Sequence, residues 1–456
     1  MLAFLEPLEE LADYQEIVRK RGKAEGILQI AGCVSSQKTH LMYALGDGFE
    51  YRVIVFSSEE KAKQAYEEYK MLEENTFLYP AKDLLFYHAD IKGAALTGKR
   101  MEVLKKLTEK KNREPVTVIT TADAFLDGLP SKEKLWESRI EIEAGAVIDF
   151  QKLQEELVHL GYERESQIEG PGQFAVRGGI LDVYPLTEEI PVRIELWGDE
   201  IDSIRSFDVE SQRSVENMEQ VVIYPATENV EKEEQAVSFA EYFPKEKSLF
   251  FFDEPVRLQE TLEAVEKEYF HSFESRKNAG MTEEADEIRV FQTKEIIEKF
   301  NTRYGIGLTT LETRCGGFKV RDVYSIQAAG VNPYNNSFEM LTQDLKKLKR
   351  QGYRGILVSG SRTRAKRLAE DLRDYDLSSF YSEDMVRTVR PGEIMVVYGC
   401  VAEGYEYPML KFMVISESDI FGKRKKKRRR KVYEGQKIQE FAELKPGDYV
   451  VHENHG

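Results

Sequence analysis

Cysteine is scarce in this chain: 456 residues hold three, Cys33, Cys315 and Cys400. They lie far apart and match no metal-ligand spacing, which excludes a disulfide framework or a cysteine-built metal site and fits a reducing compartment. Long apolar runs are missing too. No stretch approaches the roughly 20 residues of a membrane-spanning helix, and Met1 to Tyr14 is broken by Glu6, Glu9, Glu10 and Asp13, which excludes a signal peptide. A cytoplasmic protein with no membrane partner is expected. Positive charge is in deficit: 65 Lys and Arg stand against 81 Asp and Glu, a formal net charge of −16. A body so charged repels nucleic-acid phosphates, so tight DNA binding by the whole chain is not expected. One segment reverses the sign. Lys423 to Lys431 reads KRKKKRRRK, nine consecutive basic residues, and such a block self-repels and reads as a solvated tether or a contact for an anionic partner.

What is present is a large apolar complement, 41% of the residues, enough for several cores and about three or four domains. Ile27–Ala31, Arg52–Phe56, Phe77–Tyr79 and Val116–Ile119 are short apolar runs separated by helical patterns such as Glu59–Leu72 and Lys99–Glu109. Strand alternating with helix predicts an α/β domain with a parallel sheet. A β-rich, sandwich-like stretch interrupts it, and α/β signals resume at Ser248–Asp253, so that stretch reads as an insertion. From Phe338 the pattern restarts: an amphipathic helix to Gln351, a strand at Gly355–Val358, a basic helix from Arg362 to Asp374, and strands at Ile394–Tyr398 and Phe412–Ile415. The expected fold class is a multidomain α/β protein. Residues 1–135 and 226–330 form a discontinuous α/β domain, 136–225 an inserted β-rich domain, 331–420 a small independent α/β domain, 421–440 a basic linker and 441–456 the start of a further β module. The final Leu444–Gly456 opens that module without supplying a core, so the chain is expected to be part of something longer. His452 and His455 have no cysteine or second histidine pair nearby, which argues against a metal site.

A motif in the first domain points to chemistry and then withdraws it. Gly32-Cys33-Val34-Ser35-Ser36-Gln37-Lys38-Thr39 stands where G-x-x-x-x-G-K-[ST] would cradle phosphates, between a strand and a helix. The sixth position is Gln37, and a side chain there obstructs a loop whose backbone must wrap the phosphates closely. Lys38 and Thr39 remain, and Asp253-Glu254 ends an apolar strand where a carboxylate could hold Mg²⁺. The pattern fits a vestigial nucleotide site better than weak binding with altered geometry.

The richest stretch is Gln173 to Arg213. From Pro191 the residues alternate: Val192, Ile194 and Leu196 face one side of a strand, Arg193, Glu195 and Trp197 the other. Trp and Arg are enriched among binding hot spots because each buries a large surface while keeping a polar handle. The same pattern also fits a strand aromatic covering a second layer with Arg193 stacked upon it. Arg177-Gly178-Gly179 precedes the apolar Ile180–Pro185, and paired glycines there suggest a bulge or a close backbone approach that re-aims Arg177.

This segment, FAVRGGILDVYPLTEEIPVRIELWGDEIDSIRSFDVESQRS, resembles the second domain of bacterial transcription-repair coupling factors, which is similar to the UvrA-binding domain of UvrB. The resemblance implies UvrA contacts at Arg177, Arg193 and Trp197. It further implies a degenerate, UvrB-homologous P-loop domain of the RecA/helicase type, with Gly32, Gln37, Lys38, Thr39, Asp253 and Glu254 as its residual nucleotide site. Residues 441–456 resemble the opening of a CarD-like module that grips the RNA polymerase β subunit. In the family, an ATP- and Mg²⁺-dependent motor acts on double-stranded DNA, and a C-terminal region covers the UvrA-binding face until polymerase is engaged. That motor is expected to be absent here, and the chain itself is expected to need no cofactor and catalyse nothing. The alternative is a UvrB-type, ATP-dependent damage-recognition subunit. UvrB keeps the glycine-rich loop and a tyrosine-rich hairpin, for which the stretch from Thr76 to Thr120, with Tyr79, Phe86 and Tyr87 scattered through it, leaves no room.

Overall fold

The computed structural model of the chain describes residues 3–82, 84, 94–109, 114–228, 235–280 and 290–422. The expected basic linker and the β module after it lie outside these residues from position 423 on, as do Phe86 and Tyr87. Along the chain come α1 (Ala12–Lys20), β1 (Gly26–Ala31), α2 (Ser35–Leu45), β2 (Tyr51–Phe56), α3 (Glu59–Lys70), β3 (Thr76–Tyr79), α4 (Ala94–Thr108), β4 (Val116–Thr121) and α5 (Lys132–Glu137). Next are β5 (Ile140–Glu143), α6 (Phe150–His159), β6 (Glu163–Glu165), β7 (Gln173–Arg177), β8 (Ile180–Val183), β9 (Val192–Trp197), β10 (Glu200–Phe207), β11 (Ser214–Met218) and β12 (Gln220–Ile223). Then follow β13 (Ser248–Asp253), α7 (Pro255–Asn278), α8 (Thr293–Asn301), β14 (Tyr304–Thr309) and β15 (Val320–Ser325). The last group is β16 (Ala329–Gly330), α9 (Phe338–Arg350), β17 (Arg354–Ser359), α10 (Arg362–Asp374), β18 (Ser378–Ser382), β19 (Glu393–Tyr398), β20 (Tyr405–Tyr407), β21 (Phe412–Ser416) and α11 (Glu417–Phe421).

Among the described residues the first sheet has seven strands in the order β15-β1-β14-β13-β2-β4-β3, every pairing parallel. Its strands β1, β2, β4 and β13 are buried at every position because both faces are covered. The pleat divides them by parity: Val53, Val55, Phe250 and Phe252 enter one hydrophobic cluster, while Ile54, Phe56, Leu249 and Phe251 enter another on the opposite face.

That second cluster corrects one expectation. The region after residue 330 reads as an independent unit, and it does form its own mixed sheet, β16-β20-β21-β17-β19-β18. Yet Ile356, Val358, Met395, Val397, Tyr405, Phe412 and Val414 share one continuous core with Leu28, Ile30, Leu41 and Tyr69. Leu357, Val396 and Ile415, of opposite parity, pack under α9 and α10 in a core of their own. The last sheet is therefore buried on both faces, one of them against the α2–α3 side of the first sheet. His40 marks the seam: its ring lies in hydrogen-bonding contact with Tyr407 Oη at 3.0 Å and the Phe4 carbonyl at 2.8 Å.

A second correction concerns residues 140–223. They form one six-stranded sheet, β11-β10-β9-β8-β7-β6, with a separate pair β12-β5. This is not a sandwich. Leu153 and Leu157 of α6, together with Ile142, Val221 and Ile223 of the two-stranded pair, cover the face that carries Leu181, Val183, Val192, Ile194, Ile201 and Ile204. Asp149 starts α6 by accepting the backbone N–H groups of Gln151 and Lys152. The opposite face of the large sheet is left without a full second layer.

Candidate functional site

The uncovered face is ordered by strand register. Antiparallel pairing sets Asp182 of β8 opposite Arg193 of β9, and Arg193 opposite Arg205 of β10; paired residues point to the same side of a sheet. Arg193 donates from Nε to Asp182 Oδ1 at 2.6 Å and from Nη2 to Oδ2 at 2.9 Å, a two-pronged contact. Its Nη2 also donates to Gln212 Oε1 at 3.0 Å. The hydrogen bond to Asp182 holds the Arg193 guanidinium above its ordinary pKa. Arg177, at the end of β7, donates from Nη2 to the same Asp182 Oδ2 at 2.6 Å. One carboxylate, 2% exposed, thus carries two guanidiniums whose side chains are 15% (Arg193) and 47% (Arg177) exposed.

Arg193 therefore differs from the free outward anchor its alternation suggests. It lies on the expected face, yet it is largely covered and held by Asp182 and Gln212, and its guanidinium stacks 4.3 Å above Phe207 rather than on Trp197. Phe207 belongs to a small cluster with Ile168 and Ala175, with Tyr184 packed against it, that partly roofs this end of the face. Trp197 stands free at the other end, 84% exposed. The two glycines after Arg177 make the tight β7–β8 connection: Gly178 has φ +62°, and a Cβ on Gly179 would come within 2.9 Å of the Leu196 carbonyl oxygen. That close approach lets the hairpin lie against β9 immediately before Trp197.

Asp182, Phe207 and Gln212 were not legible as members of this site. Asp182 sits within the apolar run Ile180–Tyr184, and a single acid in such a run, opposite an Arg in a neighbouring strand, was the signal available. Gln212 depends on the turn after β10, where it holds φ +58°.

The nucleotide-like residues gather at the carboxyl end of the first sheet. Gly32 directly follows β1 at φ +85°. Helix α2 starts at Ser35, so Gln37, Lys38 and Thr39 lie within its first turns, all buried, rather than in a loop. Gln37 Oε1 accepts the Val34 backbone N–H at 3.0 Å, occupying a donor that a phosphate cradle would need free. Lys38 Nζ donates to Asp253 Oδ1 at 2.6 Å and Glu254 Oε1 at 2.7 Å, and Lys61 Nζ reaches Asp253 Oδ2 at 3.0 Å. Burial works to lower the Lys38 pKa, but the two carboxylates outweigh it and raise it. Burial likewise works to raise that of Glu254, but hydrogen bonds from Lys38 and Thr310 leave it low. Glu254 itself is held at φ +53°, directly before the Pro255 that opens α7.

The start of α2 is also closed from the last sheet's side. Ser36 Oγ donates to Glu68 Oε1 at 2.7 Å, which also accepts the Ala402 N–H at 2.9 Å, and Ser35 Oγ donates to Glu403. Among the described residues no group of three or more His, Cys, Asp or Glu side chains is arranged to hold a metal ion. Tyr79 is fully buried, stacked 3.8 Å from Phe239 and beneath the Arg100 guanidinium.

Comparison with known proteins bears on the sheet face first. A family model described as the UvrB interaction domain matches residues 140–229, the span that includes Arg177, Asp182, Arg193 and Trp197. The transcription-repair-coupling factor of Bacillus subtilis (strain 168) is 25% identical over an alignment of 516 positions, covering 98% of this chain and 43% of the relative. That of Staphylococcus aureus (strain bovine RF122 / ET3-1) is 27% identical over 446 positions, covering 84% of this chain and 37% of the relative. The chain is thus similar to these factors over most of its own length, and it spans less than half of theirs.

Proposed function

We propose that this chain recruits UvrA for transcription-coupled nucleotide excision repair through the polar face of the β6–β11 sheet. The observation that carries the reading is the pair of guanidiniums anchored on buried Asp182 beside an exposed Trp197, within the span similar to the UvrB interaction domain. A rigidly held Arg and a free indole present desolvatable surface at little entropic cost on binding, which is how a few residues dominate an interface.

The nucleotide site is read as vestigial. Lys38, the cation that would meet phosphates, is neutralised by two carboxylates, and Gln37 satisfies a backbone donor that phosphate would use. The chain itself then acts as a binding scaffold, with no cofactor of its own. The same reading assigns RNA polymerase (through residues 441–456), double-stranded DNA, an ATP- and Mg²⁺-driven motor and an inhibitory C-terminal region to a longer protein.

Calorimetric titration of UvrA into the chain tests this. The parent binds, and Arg177→Glu and Trp197→Ala each abolish or strongly weaken binding while the chain stays folded, whereas Arg193→Glu weakens it and also loosens β9 at its contact with Asp182; full binding by Arg177→Glu and Trp197→Ala overturns the proposal. Labelled ATP with Mg²⁺ gives no saturable micromolar binding. If it does, and UvrA and damaged DNA stimulate hydrolysis, the chain is a UvrB-type damage-recognition subunit instead.

A further inference from the structure

Beyond the three residues already assigned, we infer that Val147 and Glu200 extend the UvrA-facing surface, so that UvrA seats an apolar side chain across a row running Trp197, Glu200, Val147. The inference rests on the function proposed above and adds a strand segment to it. Register defines the row. The Gly198-Asp199 turn sets Glu200 directly opposite Trp197. On its other flank, β10 pairs with β11 only from Ile204 onward, and the vacant length beside Glu200 is taken by residues 145–148. Ile201 N–H donates to the Ala146 carbonyl at 2.9 Å and Ile148 N–H to the Asp199 carbonyl at 2.8 Å. These bonds flank Val147 and Glu200, which form an isolated antiparallel bridge, and make them the narrow, non-hydrogen-bonded kind of pair whose side chains lie closest. Residues paired in this way share a face. Val147 and Trp197, two strands apart, are therefore separated by about 10 Å on the same side of the sheet, a gap one partner side chain spans.

The core does not account for Val147. Its neighbours Ala146 and Ile148 pack against the core of this sheet, while Val147 points the other way and is 75% exposed. A lone exposed valine is ordinary, but here a second large apolar group, Trp197 at 84% exposure, stands in the same row on the same face. The space above the row is open as well: a Cβ at Gly145, Gly178 or Gly198 would meet nothing within 4 Å, so a partner backbone can approach closely. The occupant is assigned as UvrA because the row continues the Arg177–Trp197 face and lies wholly within the matched residues 140–229. Glu200, between the two apolar ends, suits a partner cation beside the apolar side chain.

Titration of UvrA against the parent chain and Val147→Asp, Val147→Thr and Trp197→Ala tests the row. Val147→Asp is expected to weaken binding by at least roughly tenfold and the nearly isosteric Val147→Thr by roughly threefold, with no change in amide exchange protection of β9 and β10, because the side chain is 75% exposed and belongs to no core cluster. Binding by both Val147 variants within a factor of two of the parent, while Trp197→Ala loses it, overturns the extension and leaves the proposed function standing. Parent-like binding by Trp197→Ala and Arg177→Glu overturns the proposed function and the extension together.

Discussion

Replacing Asp182 by Asn preserves the side-chain shape and removes the charge that two guanidiniums share. Arg193 makes two hydrogen bonds to it and Arg177 one, and Asp182 is almost fully buried. Removing one partner of a buried ion pair costs about 3–5 kcal/mol, because the other is left uncompensated, whereas an exposed pair contributes about 0–1 kcal/mol. Arg193, largely covered and stacked on Phe207, is near the first case; half-exposed Arg177 is near the second. Because Asn still offers one acceptor, the expected loss of local stability is about 2–4 kcal/mol. Several cores make global unfolding a poor readout, so the assay is amide hydrogen exchange across β8, β9 and β10, where protection should fall by that amount. UvrA affinity should fall roughly thirtyfold, the equivalent of about 2 kcal/mol, because Arg177 loses its brace. The Ala variants should rank in a set order: Arg193→Ala loosens β9 clearly, while Arg177→Ala weakens UvrA binding with little effect on exchange. Unchanged protection and unchanged affinity in Asp182→Asn would refute the reasoning, as would Arg177→Ala loosening the sheet as much as Arg193→Ala.

Gly179→Ala places a Cβ within 2.9 Å of the Leu196 carbonyl oxygen and should cost about 1 kcal/mol or more, read as lost exchange protection at Leu196 and weaker UvrA binding; a neutral variant contradicts the close approach. Burial holds the His40 imidazole down to about 4, against an ordinary value near 6.5. The folded value lies below the unfolded one, so this contribution is fully present above pH ~6.5 and is lost as pH falls toward ~4, to a total of about 3 kcal/mol. Exchange protection of α2 measured across that window should show the slope, and His40→Gln should flatten it; equal slopes in both proteins defeat the assignment.

Much of the local structure was readable from neighbours in the chain. The alternation in Val192–Trp197 placed the apolar residues inward and Trp197 outward, and β13 and β17 stand where short apolar runs indicated. The sandwich expectation failed because strand content does not say what covers a face: a single helix and a two-stranded pair do the work of a second sheet. The independence expected of the last unit failed for a related reason. Ile356 and Val358 look like ordinary strand residues, and only assembly shows that their side of the sheet meets α2 and α3. In the nucleotide-like segment the missing glycine at position 37 was plain, but that helix α2 begins at Ser35, before it, was not.

By itself, then, the sequence determined where strands such as β1, β2, β13 and β17 form, which side of β9 is apolar, and that Gln37 interrupts a phosphate-binding pattern. These depend on side-chain periodicity and residue type, which are properties of adjacent positions. The tertiary structure alone decided that Asp182 gathers Arg177 and Arg193, that Lys38 is held by Asp253 and Glu254 more than two hundred positions away, and that Val147 joins the row of Trp197. Those arrangements depend on strand register and on charges meeting across the fold. A register shift of one residue would reverse every side chain on the strand and dissolve them.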